Sequence, residues 1–162
     1  MTIFIKAELN DLSTLEKLAQ EIWREYSICF ITKEQIEYML DKFQSQKAMI
    51  SQLQNGYEYY FIKENNQNAG YFAIQPQTNK LFLSKIYISK NFRNKGLGRK
   101  SLEFIKQKAK ECQLNTIELT VNKTNENSIK AYQNWGFKIK SSDITDIGNG
   151  FVMDDFILEY EL

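Results

Sequence analysis

Residues 93–101 read RNKGLGRKS, a stretch with two glycines one residue apart and four positive charges. Between Lys90 and Lys100 there is no aspartate or glutamate. The residues that follow have helical periodicity, and the free N–H groups and positive dipole end of a helix start favour an anion. Gly96 and Gly98 carry no side chain that would keep a ligand away from the backbone. The stretch is therefore a candidate anion site, although a solvated basic helix start would have the same local sequence.

Two familiar phosphate-binding signatures do not fit this loop. A Walker A loop needs Gly-x-x-x-x-Gly-Lys-Ser/Thr, but position 93 is Arg and Gly98 is followed by Arg99. A dinucleotide fingerprint needs Gly-x-Gly-x-x-Gly, but its last position here is Ser101. The local sequence alone therefore leaves the identity of the anion open.

The segments on either side of the loop predict a mixed α/β (α+β) fold. Period-2 alternation and turn signals predict strands at 2–7, 57–64, 69–76, 81–89, 115–122, 137–143 and 151–162. Helices are predicted at 10–26, at 33–45, at 46–54 as a short third piece, after the basic loop, and at 125–136. The order β-αα-βββ-α-β-α-ββ predicts one domain over residues 1–162, with a mostly antiparallel mixed sheet and one parallel crossover.

The composition excludes several functional classes. The net charge is +1, lower than a general nucleic-acid binder usually carries, and the chain has no histidine, which removes Ser-His-Asp and Cys-His catalysis. The two cysteines, Cys29 and Cys112, match no metal-binding spacing and are interpreted as buried reduced thiols, Cys112 on the inner face of the helix after the loop. We expect a cytoplasmic protein without a membrane partner, because the chain shows no signal-peptide pattern and no apolar run of about 20 residues.

Two segments together resemble the GCN5-related N-acetyltransferase (GNAT) superfamily. Its acetyl-coenzyme A signature, Arg/Gln-x-x-Gly-x-Gly/Ala, is matched by residues 93–98, RNKGLG, directly after a strand and before a helix. A second segment of the family, an Asn followed by a helix and Tyr-x-x-x-Gly-Phe, is matched by Asn125 and by residues 132–137, YQNWGF. The C-terminal stretch 150–162 is loosely similar to bacterial members that include polyamine acetyltransferases. The resemblance implies acetyl transfer from acetyl-coenzyme A to a primary amine by direct attack, without an acyl-enzyme.

The resemblance also implies where the coenzyme binds. Arg93 would shape the loop or reach a phosphate, and backbone N–H groups of the loop would hold the pyrophosphate. Backbone groups of the preceding strand would face pantetheine and the acetyl carbonyl, in the gap between this strand and the one at 116–121. The implied cofactor-binding residues are Ile86, Tyr87, Ile88, Arg93, Asn94, Lys95, Gly96, Leu97, Gly98, Arg99, Lys100 and Asn125.

The resemblance implies Tyr132 as the general acid that protonates the leaving thiolate. A phenol with a pKa of about 10 is a reasonable donor to a thiolate whose conjugate thiol has a pKa near 8.5. Without the motif, a tyrosine in an aromatic-rich chain would be read as a core residue. Asn125 would contact pantetheine or the surroundings of Tyr132, or would otherwise cap the helix that follows.

The base and the amine site are less well defined by the sequence. No acid lies between 81 and 89, where some family members place a glutamate, so Glu21, Glu58, Glu118 and Asp154 stay open as candidate bases beside their reading as ordinary surface acids. Trp23, Tyr26 and Glu58 are candidate substrate contacts, because aromatic walls with one or two acids suit a cationic amine. The helix-core interpretation of Trp23 is equally open.

Three hypotheses therefore follow. The first is a cytoplasmic acetyl-coenzyme A-dependent N-acetyltransferase acting on a small-molecule, polyamine-like amine or a peptide amine, without a metal and with a homodimer left open. The second is a non-catalytic acyl-coenzyme A sensor or interaction module on the same fold, which the missing base motivates. The third is a nucleic-acid binder through the basic loop, against which the near-neutral net charge and the motif spacing argue.

Overall fold

A seven-stranded mixed sheet forms the centre of the computed structural model, which describes residues 1–162. The spatial order is β1-β2-β3-β4-β5-β7-β6, and only the β4–β5 pair is parallel. This confirms the predicted α/β class and the mostly antiparallel mixed sheet. The strands are β1 (Thr2–Lys6), β2 (Glu58–Glu64), β3 (Gln67–Pro76), β4 (Leu81–Ile88), β5 (Thr116–Asn122), β6 (Lys138–Gly148) and β7 (Phe151–Glu161).

Five helices cover the two faces of the sheet. They are α1 (Leu12–Tyr26), α2 (Lys33–Gln44), α3 (Gln46–Gln54), α4 (Leu97–Glu111) and α5 (Glu126–Asn134). Thr32 and Ser45 cap α2 and α3 by accepting hydrogen bonds from Gln35 N and Ala48 N. These caps satisfy amides that the first turn of a helix leaves free, so the chain can turn sharply between the two short helices.

The two faces of the sheet have separate apolar cores. On one face, Leu102, Ile105 and Ala109 of α4 are buried against alternate residues of β3, β4 and β5. On the other face, buried residues of α1, including Leu15 and Ala19, pack against β2 and β3. The alternation of side chains along each strand thus assigns neighbouring residues to opposite cores.

The parallel pair β4–β5 is joined only at its beginning. The paired residues are Leu81 with Ile117 and Phe82 with Glu118, and no further pairs follow along β4. The register between β3 and β4 shifts at Ala73 and Ile74, so that Ser84 is an extra residue on β4. A bulge bends its strand, and beyond this one β4 and β5 leave a gap in the middle of the sheet.

Several predicted features are wrong. Cys29 and Cys112 are both exposed, so neither is a buried thiol and Cys112 is not on the inner face of α4. That helix ends at Glu111, so Cys112 lies where the chain turns away from the core. Strand β6 runs to Gly148 rather than to residue 143, because its pairing with β7 continues as far as Phe151. No helix of the chain is of a length and apolarity that would let it span a bilayer.

Candidate active site

A large cavity opens at the gap between β4 and β5. Its volume is about 1240 Å³. One side is lined by the second half of β4, the 92–99 loop and α5, and the other side by α1, α2, α3 and the first half of β7. The gap in the sheet therefore connects the two helical layers.

The loop predicted to bind an anion has a run of free backbone donors. The amides of residues 94–99 donate to no carbonyl or side chain of the protein, whereas the Lys100 amide donates to Gly96 O at 3.0 Å. Lys100, one of the implied cofactor-binding residues, therefore offers no backbone N–H to a ligand, so its predicted contact through the backbone is wrong. Because these six amides lie at the N-terminus of α4, they form a concentrated site for a phosphate group.

The lysines of the loop point elsewhere. Lys95 Nζ lies 5.3 Å from the centroid of the Phe92 ring, and Lys100 Nζ donates to Thr2 Oγ1 at 2.9 Å. Neither lysine lines the cavity, whereas Arg99 lines it and has no ion-pair partner in the chain. Arg99 is therefore the free positive charge of this end of the cavity.

Arg93 shapes the loop from within the protein. Its guanidinium donates to both carboxylate oxygens of Glu25, at 3.0 and 2.6 Å, and its Nε donates to Ile88 O at 2.9 Å. The guanidinium carbon also lies 4.8 Å from the centroid of the Tyr26 ring. Of the two roles predicted for Arg93, shaping the loop is the one these contacts describe.

Gly98 lets α4 and α5 approach each other. A Cβ atom at Gly98 would lie 2.6 Å from Trp135 Cη2, closer than real carbon atoms come. Gly96 has a different role, since its φ of +77° is in the left-handed region and a Cβ there would meet nothing within 4 Å. The first glycine turns the chain and the second makes room for the Trp135 ring.

Only part of the backbone of β4 faces the gap. The Ser89 amide donates to Ala69 O at 2.8 Å, and antiparallel pairing alternates, so Tyr87 also directs its backbone groups towards β3. Ile86 and Ile88 then direct their N–H and C=O groups away from β3, towards the gap, where Ile88 O meets Arg93. The prediction of backbone contacts at all three residues is therefore wrong for Tyr87, which contributes its side chain to the cavity.

Tyr132 lines the cavity on the side of α4 and α5. Its ring packs edge-on against Trp135 and Phe137, with centroid separations of 5.6 and 5.8 Å. Burial raises the pKa of its hydroxyl above the ordinary value for tyrosine, and the nearby Tyr26 adds to this. The phenol therefore stays protonated at neutral pH, as a proton donor must.

The end of α1 meets the start of α5 across the cavity. Tyr26 donates from its hydroxyl to Asn125 Oδ1 at 2.5 Å, and the same oxygen accepts from Ser128 N at 3.4 Å. Asn125 is thus the cap of α5, one of the two predicted alternatives, and it also lines the cavity. Its two contacts hold Tyr26 over the Arg93 guanidinium.

The part of the cavity lined by α1–α3, β4 and β7 is where the amine acceptor is expected, and we call it the acceptor half. Trp23 lines this half and is also buried in the core between α1 and α2, so both predicted interpretations apply to it. Its ring lies 5.5 Å from that of Tyr87, centroid to centroid. Glu58, by contrast, does not line the cavity, because it accepts a hydrogen bond from Tyr60 and pairs with Lys6 at the far edge of the sheet. Glu58 is therefore outside the site.

The other candidate bases also lie outside the cavity. Glu21 is exposed, Glu118 pairs with Lys80 and Lys140, and Asp154 pairs with Lys123. The residue that sequence reasoning missed is Asp155, the only carboxylate that lines the cavity. The alternation of Phe156, Leu158 and Tyr160 could have indicated it, because strand periodicity puts residue 155, and not 154, on the face opposite these apolar side chains.

Lys85 is buried at the inner end of the acceptor half. Its Nζ donates to Phe43 O at 2.7 Å and to Gln52 Oε1 at 2.8 Å, and also contacts the Tyr59 hydroxyl. The residue is 6% exposed, and this burial lowers its pKa to about 7. The three contacts tie the end of α2, α3 and β2 to β4.

The comparisons with known proteins identify the family. The model of the Acetyltransferase (GNAT) family matches residues 15–137, and the chain belongs to this family. Over 112 residues it is 29% identical to an uncharacterized N-acetyltransferase in the pepI 3′ region of Lactobacillus delbrueckii subsp. lactis, a match that covers 64% of each protein. It is 23% identical to the spermidine N(1)-acetyltransferase of Thermoplasma acidophilum, over 92% of this chain and 93% of that one.

A solved structure shows the same fold over the whole chain. The PaiA N-acetyltransferase of Thermoplasma acidophilum, crystallised in complex with coenzyme A, superposes with a TM-score of 0.84 at 21% identity. The superposition covers 100% of this chain and 99% of the other. The resemblance found in the sequence is thereby confirmed for the family and the fold.

Proposed function

We propose that this protein is an acetyl-coenzyme A-dependent N-acetyltransferase that acts on a primary amine of a small molecule, polyamine-like in the first instance, or of a peptide. One observation carries the proposal: five residues with free amides at the start of α4, Asn94 and residues 96–99, line the same cavity as the gap between β4 and β5. An elongated ligand with phosphates at one end and an amide-containing chain at the other matches this arrangement. The spermidine acetyltransferase among the relatives supports a small cationic acceptor.

The residues present fit coenzyme A. The amides of 94–99 would hold the pyrophosphate, with Arg99 as the nearby positive charge, and the free backbone groups of Ile86 and Ile88 would bind the pantetheine arm as an added strand would. Acetyl-coenzyme A, when bound, supplies the activated acetyl group as a thioester. A backbone N–H on β4 would stabilise negative charge developing on the acetyl oxygen, and Tyr132 would donate a proton to the leaving sulfur.

The test is amine-dependent release of free thiol from acetyl-coenzyme A by the full chain. We expect release with at least one primary amine in a panel of monoamines, diamines, spermidine and short peptides, and saturable binding of coenzyme A by calorimetry. If coenzyme A does not bind, the proposal is wrong. Tight binding with no turnover on any amine would instead favour a non-catalytic acyl-coenzyme A sensor. The cytoplasmic location and the homodimer stay predictions.

A further inference from the structure

Four charged side chains line the cavity, and they are divided between its two ends. Arg93 and Arg99 lie at the loop, while Lys85 and Asp155 lie in the acceptor half. Arg93 is paired with Glu25, and Lys85 has its Nζ surrounded by acceptors. The side chain of Asp155 is half-buried, accepts no hydrogen bond from the protein and forms no ion pair within the chain. A half-buried carboxylate without a partner is costly to keep, and its position on a ligand cavity suggests that the ligand supplies the partner.

The strand register places Asp155 on the acceptor side of the sheet. It is paired with Asn122 of β5, and residues directly opposite each other share a face. Its neighbour Phe156 packs with the α4 and α5 core, so Asp155 faces the other way, towards α1–α3 and the Tyr87 side chain. Tyr132 packs with the α4 and α5 core. A carboxylate and a phenol therefore line one cavity from opposite faces of the sheet, with the gap between β4 and β5 connecting them.

The groups around Asp155 make it a stronger base than an ordinary aspartate. Burial is the main cause, and the negative charges of Asp154 and Asp143 add to it, while Lys123 opposes them. Together they raise the pKa of Asp155 to about 6. Tyr87, which faces it from β4, is half-buried and stays neutral, since desolvation raises the pKa of its hydroxyl. The carboxylate is thus ionised at pH 7.5, while being a better proton acceptor than a solvated one.

The charges in the acceptor half also limit how many positive charges the acceptor molecule can carry. Asp155 is its single negative group, and a second cation on the same molecule would find no counter-charge there. Its inner end contains the amine or ammonium of Lys85 and otherwise aromatic, amide and apolar side chains. An ammonium beside Asp155 is paired, whereas a second ammonium near Lys85 would be desolvated without a partner.

We propose that Asp155 binds the acceptor ammonium and removes its proton, and that the acceptor is a primary amine with one positive charge and an uncharged tail. Asp155 accepts one ammonium proton, and the lone pair this frees forms the new C–N bond with the acetyl carbon. The C–S bond breaks with its electron pair on sulfur, which takes up a proton as the nitrogen loses its second one. The reaction thus releases one proton overall, through Asp155. This proposal rests on the proposed function and narrows it. Among the primary amines named there it keeps those with one positive charge and excludes the polyamine-like ones.

The first test measures by calorimetry how tightly pentylamine and 1,5-diaminopentane bind to the protein in the presence of coenzyme A. We expect pentylamine to bind at least 10-fold more tightly than the diamine, and Asp155→Asn to weaken pentylamine binding at least 10-fold while coenzyme A binding changes less than twofold. The matched control is Asp154→Asn, which removes the same charge one residue away, outside the cavity. It should change pentylamine binding less than twofold.

The second test is the pH profile of kcat/KM for pentylamine. Wild type should lose activity below a pKa near 6, and Asp155→Asn should lower kcat/KM about 100-fold, the usual scale for a general base. In the Asp155→Asn variant, the fall of kcat/KM below pH 6 should be absent. Its kcat/KM should instead rise with pH, because the variant can use only amine molecules that are already neutral. Asp154→Asn should keep the wild-type kcat/KM at neutral pH. The fall of kcat/KM at acid pH should shift to lower pH, because removing a neighbouring negative charge lowers the pKa of Asp155.

The outcomes separate this proposal from the proposed function. Turnover that Asp155→Asn leaves within twofold would overturn the role of Asp155 and leave the acetyltransferase intact. A diamine or spermidine that is bound and acetylated as well as pentylamine would overturn the single-charge acceptor. If wild type binds and acetylates no amine at all, both proposals are wrong.

Discussion

At the residue scale, the raised pKa of Asp155 has a consequence for stability as well as for chemistry. The folded-state pKa is about 6 and that of an unfolded aspartate about 3.9. Between these values the folded protein binds more protons than the unfolded one, so stability falls as pH rises through this window and the loss persists above it. The carboxylate that would bind the amine is therefore expected to destabilise the fold at neutral pH.

We expect Asp155→Asn to raise the free energy of unfolding at pH 7.5 by about 1–2 kcal/mol, which discounts the full linkage value for partial solvent exposure. At pH 3.5, where the wild-type carboxyl is protonated in the folded state and mostly protonated in the unfolded state, the difference between the two proteins should nearly vanish. Urea unfolding at the two pH values measures this. A gain at pH 3.5 as large as that at pH 7.5 would show that packing, and not ionisation, causes the difference.

A second residue-scale prediction concerns Tyr132. Tyr132→Phe keeps the ring that packs against Trp135 and Phe137 but removes the hydroxyl. If the phenol protonates the leaving sulfur, kcat should fall about 100-fold, because general acids contribute roughly 10²–10⁴-fold. The dissociation constant of coenzyme A should stay within twofold of the wild-type value. Steady-state kinetics together with calorimetry measure both quantities, and an unchanged kcat would remove Tyr132 from this role.

At the element scale, the contact of α4 with α5 depends on the missing side chain of Gly98. Gly98→Ala would place Cβ 2.6 Å from Trp135 Cη2, so one helix must move away from the other. The free amides at the start of α4 move with it, and we expect the dissociation constant of coenzyme A to rise at least 10-fold. The loss of affinity would come from the displaced helix, since Gly98→Ala leaves the catalytic side chains unchanged.

A second substitution at Trp135 should restore the coenzyme A affinity that Gly98→Ala loses. Trp135→Phe removes the ring atoms that approach Gly98, so the double variant Gly98→Ala/Trp135→Phe should recover most of the affinity that Gly98→Ala loses. Gly96→Ala is the contrasting variant, because it meets no atom but has unfavourable φ; Trp135→Phe should not rescue it. Calorimetric titration with coenzyme A compares the four proteins, and an equal rescue of both glycine variants would contradict the steric explanation.

At the scale of the whole molecule, local features were predicted from the sequence and non-local ones were not. The 93–98 loop and the 125–137 segment are each a continuous stretch of sequence. Their motifs alone therefore sufficed to predict that their residues lie at the coenzyme side of the cavity. The acceptor side depends on which strands pair and in what register. Glu58 was predicted to contact substrate because the partner strand that supplies Lys6 lies more than 50 residues away in sequence.

The choice between Asp154 and Asp155 shows the same limit most clearly. The two residues are adjacent, have the same chemistry, and face opposite sides of the sheet, because strand side chains alternate. The alternation of Phe156, Leu158 and Tyr160 puts Asp155 on the face opposite these apolar side chains, but only the pairing of β7 with β5 shows that this face meets the cavity. Composition could exclude histidine chemistry, but it could not identify which one of the 20 acidic residues meets the ligand.

The sheet itself consists of two parts joined at few points, and this leads to a last prediction. Strands β1–β4 and β5–β7 are connected through only two residue pairs, Leu81–Ile117 and Phe82–Glu118. Beyond these pairs the alternation of the β3–β4 ladder turns the amides of Ile86 and Ile88 away from β3, towards a side where β5 no longer pairs with β4. The amides of 94–99 likewise have no protein acceptor. A ligand that lies in the gap would supply acceptors to both sets and link the two parts of the sheet.

We expect coenzyme A to slow hydrogen exchange in peptides covering 83–88 and 94–99. The 58–76 hairpin should be unchanged, because its strands pair with each other apart from one bulge and none of its residues lines the cavity. At 100 times its dissociation constant, coenzyme A should raise the free energy of unfolding by about 2.7 kcal/mol, the value for one site bound only in the folded state. Exchange mass spectrometry and urea unfolding measure the two effects. Protection confined to 94–99, with 83–88 unchanged, would mean that the coenzyme is held by its phosphates alone and does not bridge the sheet, and the pantetheine contacts proposed for Ile86 and Ile88 would then be wrong.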